Sequence, residues 1–280
     1  MIAVVYSGSK SAFWKIASNG KTIAECTMPG INPCLNEPKQ ILFLLNKNNT
    51  LINYAEQIKR IYVFAAGASA KVKQKELIST LLQFFKNSRI TVKDDLYGAS
   101  IAACYNESGI VGILGSGSNC AYYDGKKPEQ NNYGLGFILG DEGSANFLGR
   151  VLLKKYLEDK LPADLKAKFE EKYNAERPII LERVYKKPSV QQYLSTFFDF
   201  YVENRNHKVI LQLIDQAFEH YFKTYLLPTA ARHPGKNVHF VGTVAGTFQD
   251  RLRQVADKYD INIISITKEP IYNLLNYYAN

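Results

Sequence analysis

The chain has no apolar run approaching the roughly 18 residues that a membrane-spanning helix needs. No basic leader precedes its apolar start, Met1-Ile2-Ala3-Val4-Val5-Tyr6, so no secretory signal is read there. Cysteine is scarce. Cys26, Cys34, Cys104 and Cys120 include no Cys-x-x-Cys pair, which argues against a zinc ribbon, a dithiol redox motif or an iron–sulfur site. At 280 residues the chain needs no disulfide staples, so the four are expected as buried free thiols in a reducing compartment. A cytoplasmic protein without membrane association is expected. His207, His220, His233 and His239 lack metal-ligand spacing and read as surface or capping residues. No linker or low-complexity stretch divides the sequence, so continuous, packed domains are expected.

What is present suits one large or two medium globular domains, with 46% hydrophobic residues. The net charge of +9 and pI near 9.2 would be compatible with a nucleic-acid binder. The basic residues are scattered, however, as in Lys71-Val72-Lys73-Gln74-Lys75 and Lys154-Lys155, with acids between the groups. The charge is therefore read as a mild field favouring anionic nucleotides, with no nucleic-acid partner. The 19 tyrosines and 15 phenylalanines are dispersed, as in Phe197-Phe198-Asp199-Phe200-Tyr201, and read as core packing.

Taken in order, Ile2 to Tyr6, Ala12 to Ala17 and Thr22 to Cys26 form a predicted strand meander, with Asn19-Gly20 as a primed hairpin turn. Helical spacing covers 38–46, 54–58 and 77–85, with a buried strand at 61–65. Alternating strands and helices predict an α/β fold. Beyond Gly143 the pattern turns helical over 145–157, 163–173, 190–201 and 209–227, punctuated by Pro162, Pro178, Pro188 and Pro228. Strands at 237–241 and 261–266 and helices at 248–258 and 271–278 complete the chain. One phrase occurs twice: a strand, a Ser-Gly-Ser turn (Ser7-Gly8-Ser9 and Ser116-Gly117-Ser118), a strand, and an Xaa-Gly-Lys turn. That recurrence points to an internal duplication, with a cleft between paired domains.

The chemistry concentrates between Val92 and Asn146. The strand Ile110-Val111-Gly112-Ile113-Leu114 runs into Gly115-Ser116-Gly117-Ser118-Asn119, a turn with little side-chain bulk whose N–H groups can close on a phosphate. Asp95 ends a β-branched run and opens a helical segment, which puts a carboxylate at a strand-to-helix junction where a general base could sit. A helix-capping role applies to Asp94 or to Asp95 itself. Gly140-Asp141-Glu142-Gly143-Ser144 brackets two carboxylates with glycines and could hold a sugar hydroxyl or a hydrated magnesium ion.

Asp95-Leu96-x-Gly98-Ala99, Ile113 to Asn119, and Gly136-x-x-Leu139-Gly140-Asp141-Glu142-Gly143-Ser144 resemble the N-acetylglucosamine kinase and BadF-type ATPase family. That family lies within the superfamily of sugar kinases, actin and heat-shock ATPases. Gly30-Ile31-Asn32-Pro33, Ala65-Ala66-Gly67-Ala68 and Phe240-Val241-Gly242-Thr243-Val244-Ala245 extend the resemblance over nearly the whole chain. It implies two actin-like, ribonuclease H-like α/β domains, each on a five-stranded mixed sheet, with the site in the cleft between them. Residues 1–108 plus 268–280 would form one domain, and 109–267 the other, with a helical insertion.

The implied activity is ATP- and Mg2+-dependent phosphorylation of an amino sugar, foremost N-acetylglucosamine, with Asp95 as general base. Ser7, Gly8, Ser9 and Lys10 would form the first phosphate loop, and Gly115, Ser116 and Gly117 the second. Gly242, Thr243 and Ala245 would line the adenosine side. Asn32, Ser118, Asn119, Gly140 and Asp141 would bind sugar, with Asp141 also at the metal. For Asn32 an ordinary turn role, Asn before Pro, is the alternative. A homodimer follows by analogy with the family.

The chain departs from the family pattern at three places. Tyr6 stands where an acidic residue usually opens the first phosphate loop, Lys10 stands where a hydroxyl usually follows Gly-Ser, and Tyr272 stands where a small turn is expected beside adenine. An alternative follows: a catalytically impaired member that binds sugar or nucleotide as a sensor or partner protein.

Overall fold

The computed structural model describes all residues except Ser9, Asn174 and Asn280. Strands β1 (Ile2–Ser7), β2 (Ser11–Ser18), β3 (Lys21–Pro29), β4 (Arg60–Ala65) and β5 (Arg89–Asp94) form one sheet in the order β3-β2-β1-β4-β5. β1 pairs antiparallel with β2 and parallel with β4, which is parallel to β5. Asn19 and Gly20 both take positive φ, 51° and 74°, as a primed hairpin turn requires. The second sheet holds β6 (Gly109–Leu114), β7 (Ser118–Tyr123), β8 (Val238–Val241) and β9 (Ile263–Thr267), in the order β7-β6-β8-β9. β7 is antiparallel to β6, whereas β8 and β9 are parallel to their neighbours.

The order β2-β1-β4-β5 therefore recurs as β7-β6-β8-β9, in keeping with the expected duplication. The copies are unequal. Among the described residues the second sheet has four strands where five were expected. Past the turn at Gly125 only a single bridge, Tyr123 to Pro128, continues the pairing, because proline brings no N–H to a ladder.

On the first half lie α1 (Pro38–Asn46), α2 (Asn49–Tyr54), α3 (Lys71–Phe84) and α4 (Asp95–Cys104). α1 matches its predicted span. α2 falls before the expected 54–58, because the Asn48 side chain accepts from Leu51 N and starts the helix there. On the second half lie α5 (Gly136–Leu139), α6 (Ala145–Leu157), α7 (Ala163–Lys172), α8 (Arg177–Tyr185), α9 (Val190–Thr196), α10 (Phe198–Glu203) and α11 (Lys208–Tyr221). A π-helical turn (Phe222–Leu226), α12 (Leu227–Arg232), α13 (Thr243–Thr247) and α14 (Gln249–Asp257) follow, and α15 (Ile271–Ala279) closes the chain. Sequence reading missed α8 because it took Pro178 as a break. The proline sits in the first turn, where its missing N–H costs nothing.

Trp14, Leu45, Ile61 and Phe85 centre the first core, and Phe169, Phe197, Phe200, Phe218, Phe222 and Phe240 the second. α4 joins them. Its Leu96, Ala99 and Cys104 pack on Val111, Ile113 and Val241 of the second sheet, whereas Ile101 and Ala102 meet Phe64 and α15 on the first. Gly98 permits this closeness, since a Cβ there would lie 2.6 Å from the Phe64 ring. α15 packs on β1, β2 and α4, and Asn273 donates to Ala102 O at 2.8 Å. All four cysteines are free, but the expectation of buried thiols holds only for Cys104 and Cys120. Cys26 is half-buried and Cys34 exposed. No helix among the described residues is long and apolar enough to cross a membrane.

Candidate active site

Asp94, the last residue of β5, accepts the Tyr97 backbone N–H at 2.7 Å and caps α4. That capping bond leaves Asp95, the first helical residue, with no side-chain donor among the described residues. Burial pushes the Asp95 carboxyl up to about 7, helped by the charges of Asp94 and Asp141 and opposed by the backbone N–H groups of Leu96 and of Asp95 itself. Asp94 is raised too, again mainly by burial. Of the two aspartates open to the capping role, Asp94 takes it. Asp95 is left as a basic carboxylate between the sheets.

The 115–118 turn leaves β6 with Gly115 N donating to Gly117 O at 3.0 Å. It is held by the start of α6: Ala145 N donates to Gly115 O at 2.9 Å and Asn146 Nδ2 to Ser116 O at 2.7 Å. Buried Asp141 completes the clamp. Its Oδ1 accepts from Ser118 N at 3.0 Å and its Oδ2 from Asn146 Nδ2 at 2.7 Å. A Cβ on Gly117 would lie 3.0 Å from Asp141 Oδ1, so only glycine lets the turn close on this carboxylate without a shift. Burial, and less so the charge of Glu142, raises the Asp141 pKa.

Gly115 faces open space, and a Cβ on Gly8 would stand 3.9 Å from Ser116 Oγ, so the two Ser-Gly turns face each other across the cleft. Ser7, expected on phosphate, is instead fully buried. Its Oγ accepts from Ile31 N at 2.7 Å and donates to Ile31 O at 3.0 Å, fastening β1 to the turn that carries Asn32. Ser9 lies outside the described residues. Lys10 is exposed and makes no ion pair among the described residues.

Asn32 shows the turn chemistry expected of Asn before Pro. Its Oδ1 accepts from Cys34 N at 2.9 Å, and its side chain rests on Gly67, where a Cβ would stand 2.1 Å from Oδ1. Ser118 and Asn119 were both expected to turn toward the sugar, but neighbours on a strand point to opposite faces. Ser118 pairs with Leu114, on the face covered by the helical core; Asn119 pairs with Ile113, on the face toward α4. Asn119 Nδ2 lies beside Gly134, where a Cβ would stand 3.0 Å from it. Gly140 is buried, its N–H donating to Gly136 O at 2.9 Å.

On the other side, Gly242 takes φ 122° after β8, and a Cβ there would lie 2.5 Å from Leu114 O. Thr243 is exposed beside it, whereas the Ala245 side chain is buried in the core, which leaves only its backbone to meet a nucleotide. No group of three or more His, Cys, Asp or Glu side chains among the described residues could hold a metal ion.

No family model matches the chain, and no curated protein matches it by sequence. Solved structures do. A candidate N-acetylglucosamine kinase from Porphyromonas gingivalis is 31% identical over 100% of this chain and 99% of its own, with a TM-score of 0.92. The chain belongs to the N-acetylglucosamine kinase and BadF-type family of actin-like sugar kinases. A candidate N-acetylglucosamine kinase from Chromobacterium violaceum shares the fold at 14% identity, covering 99% of this chain and 98% of its own, with a TM-score of 0.68. So does a ROK-family glucokinase from Streptomyces griseus, solved with glucose and AMPPNP, at 12% identity over 99% and 97%, with a TM-score of 0.63. The fold is thus two actin-like α/β domains with a cleft between them.

Within that family pattern, the register sets Tyr6 beside Phe64 at the carboxyl end of β1, on the face that α4 covers. Burial and the charges of Asp95 and Asp94 hold its phenol well above the ordinary pKa, so a neutral hydroxyl faces the two aspartates. Tyr272, standing where a small turn is expected beside adenine, has its ring under Lys15 Nζ, 3.8 Å from the centroid, because α15 packs on β2. Sequence reading missed Asn146, Tyr221 and Tyr225. Asn146 sits two residues past the Gly-Asp-Glu-Gly-Ser motif, a usable signal. The tyrosines lie far along the chain with no local motif to mark them.

Proposed function

We propose that the protein is an ATP-dependent kinase for an amino sugar, N-acetylglucosamine first among them, with Asp95 as the general base. The observation that carries the reading is the uncapped Asp95 carboxyl, pushed up to about 7 at the head of the helix between the two sheets. A base is most effective when its pKa lies near the working pH. Asp95 would take the proton of the attacking sugar hydroxyl, Asn119 would orient the sugar, and the open turn at Gly115–Gly117 would receive the donor phosphates. The turn's small residues and free space fit a nucleotide phosphate chain.

Magnesium carried in with ATP needs only one or two carboxylates from the protein besides the phosphates, so Asp141 fits it without a preformed cluster of ligands. Asp141 retains a second lone pair on each oxygen, and its charge, with that of Asp94, raises the Asp95 carboxyl, so a cation there would relieve like-charge repulsion. Asp141 would hold the ion through its waters, and bound magnesium would neutralise the phosphate charge. The division into 1–108 plus 268–280 and 109–267 belongs to this reading, and the packing of α15 on β1 and β2 supports it.

The free enzyme's kcat/KM is expected to rise with pH through about 7 on its acid side, because the base acts only when ionised. An acid limb lying entirely below about pH 5 would remove Asp95 from that role.

Tyr6 favours a second reading, a member that binds sugar or nucleotide with slow transfer. Calorimetric titration with Mg-ATP and, separately, with N-acetylglucosamine tests both, followed by a coupled ADP-release assay. Sugar-dependent ADP release supports the kinase; sugar binding without ATP binding supports the second reading. Under that reading Tyr6→Asp is expected to raise the transfer rate by about tenfold or more, by restoring a charge that helps hold magnesium. An unchanged rate in that variant, with wild-type magnesium dependence, counts against it.

A further inference from the structure

Glu142 stands beside Asp141 in the sequence, and its side chain is held by a residue far along the chain. Its partner comes from the π-helical turn, a geometry that tends to occur at functional sites. Tyr225 in that turn donates its hydroxyl to Glu142 Oε2. One turn earlier, Tyr221 donates to Asn119 O at 2.8 Å. The two rings sit 5.2 Å apart, and Tyr133 packs edge-on against Tyr225 at 4.9 Å. A Cβ on Gly140 would lie 3.0 Å from the Tyr225 hydroxyl, so glycine at 140 makes room for it.

Asp141 itself takes φ 63°, a left-handed backbone that a non-glycine residue keeps only when its surroundings over-determine it. Ser118 N and Asn146 grip its side chain, and Tyr225 grips the next residue. We propose that Tyr225 is a positioning residue: through Glu142 it fixes the Gly140–Gly143 turn, and with it the alignment of Asp141 against the 115–118 turn. The effect on sugar binding rests on the kinase reading, whereas the structural link does not.

The test compares Tyr225→Phe, which removes only the hydroxyl, with Glu142→Gln, which keeps an acceptor for it. Four quantities are read: amide exchange over 140–146, melting temperature, calorimetric affinity for N-acetylglucosamine, and the split between kcat and KM. Tyr225→Phe is expected to speed exchange in that segment and to weaken sugar affinity and KM about tenfold, with kcat within about threefold, as fits loss of a hydrogen bond to a charged group. Glu142→Gln keeps an acceptor but loses the charge, so its amide exchange over 140–146 should fall between wild type and Tyr225→Phe. Unchanged exchange and affinity in Tyr225→Phe overturn the proposal, as does a lower melting temperature with unchanged affinity. A wild type that neither binds nor phosphorylates any hexosamine defeats the kinase reading instead, and the exchange comparison still decides the Tyr225 link.

Discussion

Asp95→Asn is expected to lower kcat by about 10³-fold or more while leaving the affinity for N-acetylglucosamine within about threefold. The amide matches the carboxylate in shape and can still hydrogen-bond a hydroxyl, but it cannot take its proton. The same substitution should stabilise the fold at pH 8. Folding raises the Asp95 pKa, so between about pH 4 and 7 the native state binds more protons than the unfolded chain, and stability falls as pH rises through that window. The asparagine carries no such charge, so its melting temperature should exceed that of wild type at pH 8 and converge with it near pH 4. A coupled ADP-release assay and melting curves at the two pH values check both halves. Normal turnover would remove the assigned base, and an unaltered melting temperature would remove the burial argument.

Gly242→Ala is expected to act on both stability and nucleotide use. At φ 122° an alanine is strained before any contact is counted, and its Cβ would meet Leu114 O at 2.5 Å and Gly115 N at 3.0 Å. Both are backbone atoms where β6 runs into the 115–118 turn, so the strain has no flexible side chain to absorb it. Strain and overpacking together should cost about 2–5 kcal/mol, with a melting temperature lower by several degrees. The KM for ATP should rise more than that for sugar, since the displaced atoms belong to the 115–117 turn. Equal rises in the two, or none, would place the turn outside the nucleotide site.

Much of the fold could be read from the sequence where local pattern decides structure. α1, α6 and the primed hairpin turn at Asn19-Gly20 fall where spacing and turn chemistry put them. The breaks in 190–201 and 209–227 were not legible, because the apolar spacing runs on through both, whereas the chain divides at Phe197 and at the π-helical turn. In the candidate site, the motifs marked segments that the fold brings together, and long-range packing then assigned the atoms. Ser7 lies in the phosphate-loop motif, yet its hydroxyl is taken by Ile31, 24 residues on. Ser118 and Asn119 look alike in sequence, and only the β6–β7 register separates them. Which of Asp94 and Asp95 caps α4 likewise depended on one hydrogen bond, from Tyr97 N.

The placement of α4 bears on how the cleft can close. The helix is packed against both sheets and pinned by α15, and it carries Asp95 at its tip. Any swing of one half against the other must pivot near this shaft, where displacement is smallest. The Gly115–Gly117 turn, held by α6, travels with the second half. Closure would therefore bring that turn toward a nearly stationary Asp95, so the gap between them would be set by the swing of one arm alone.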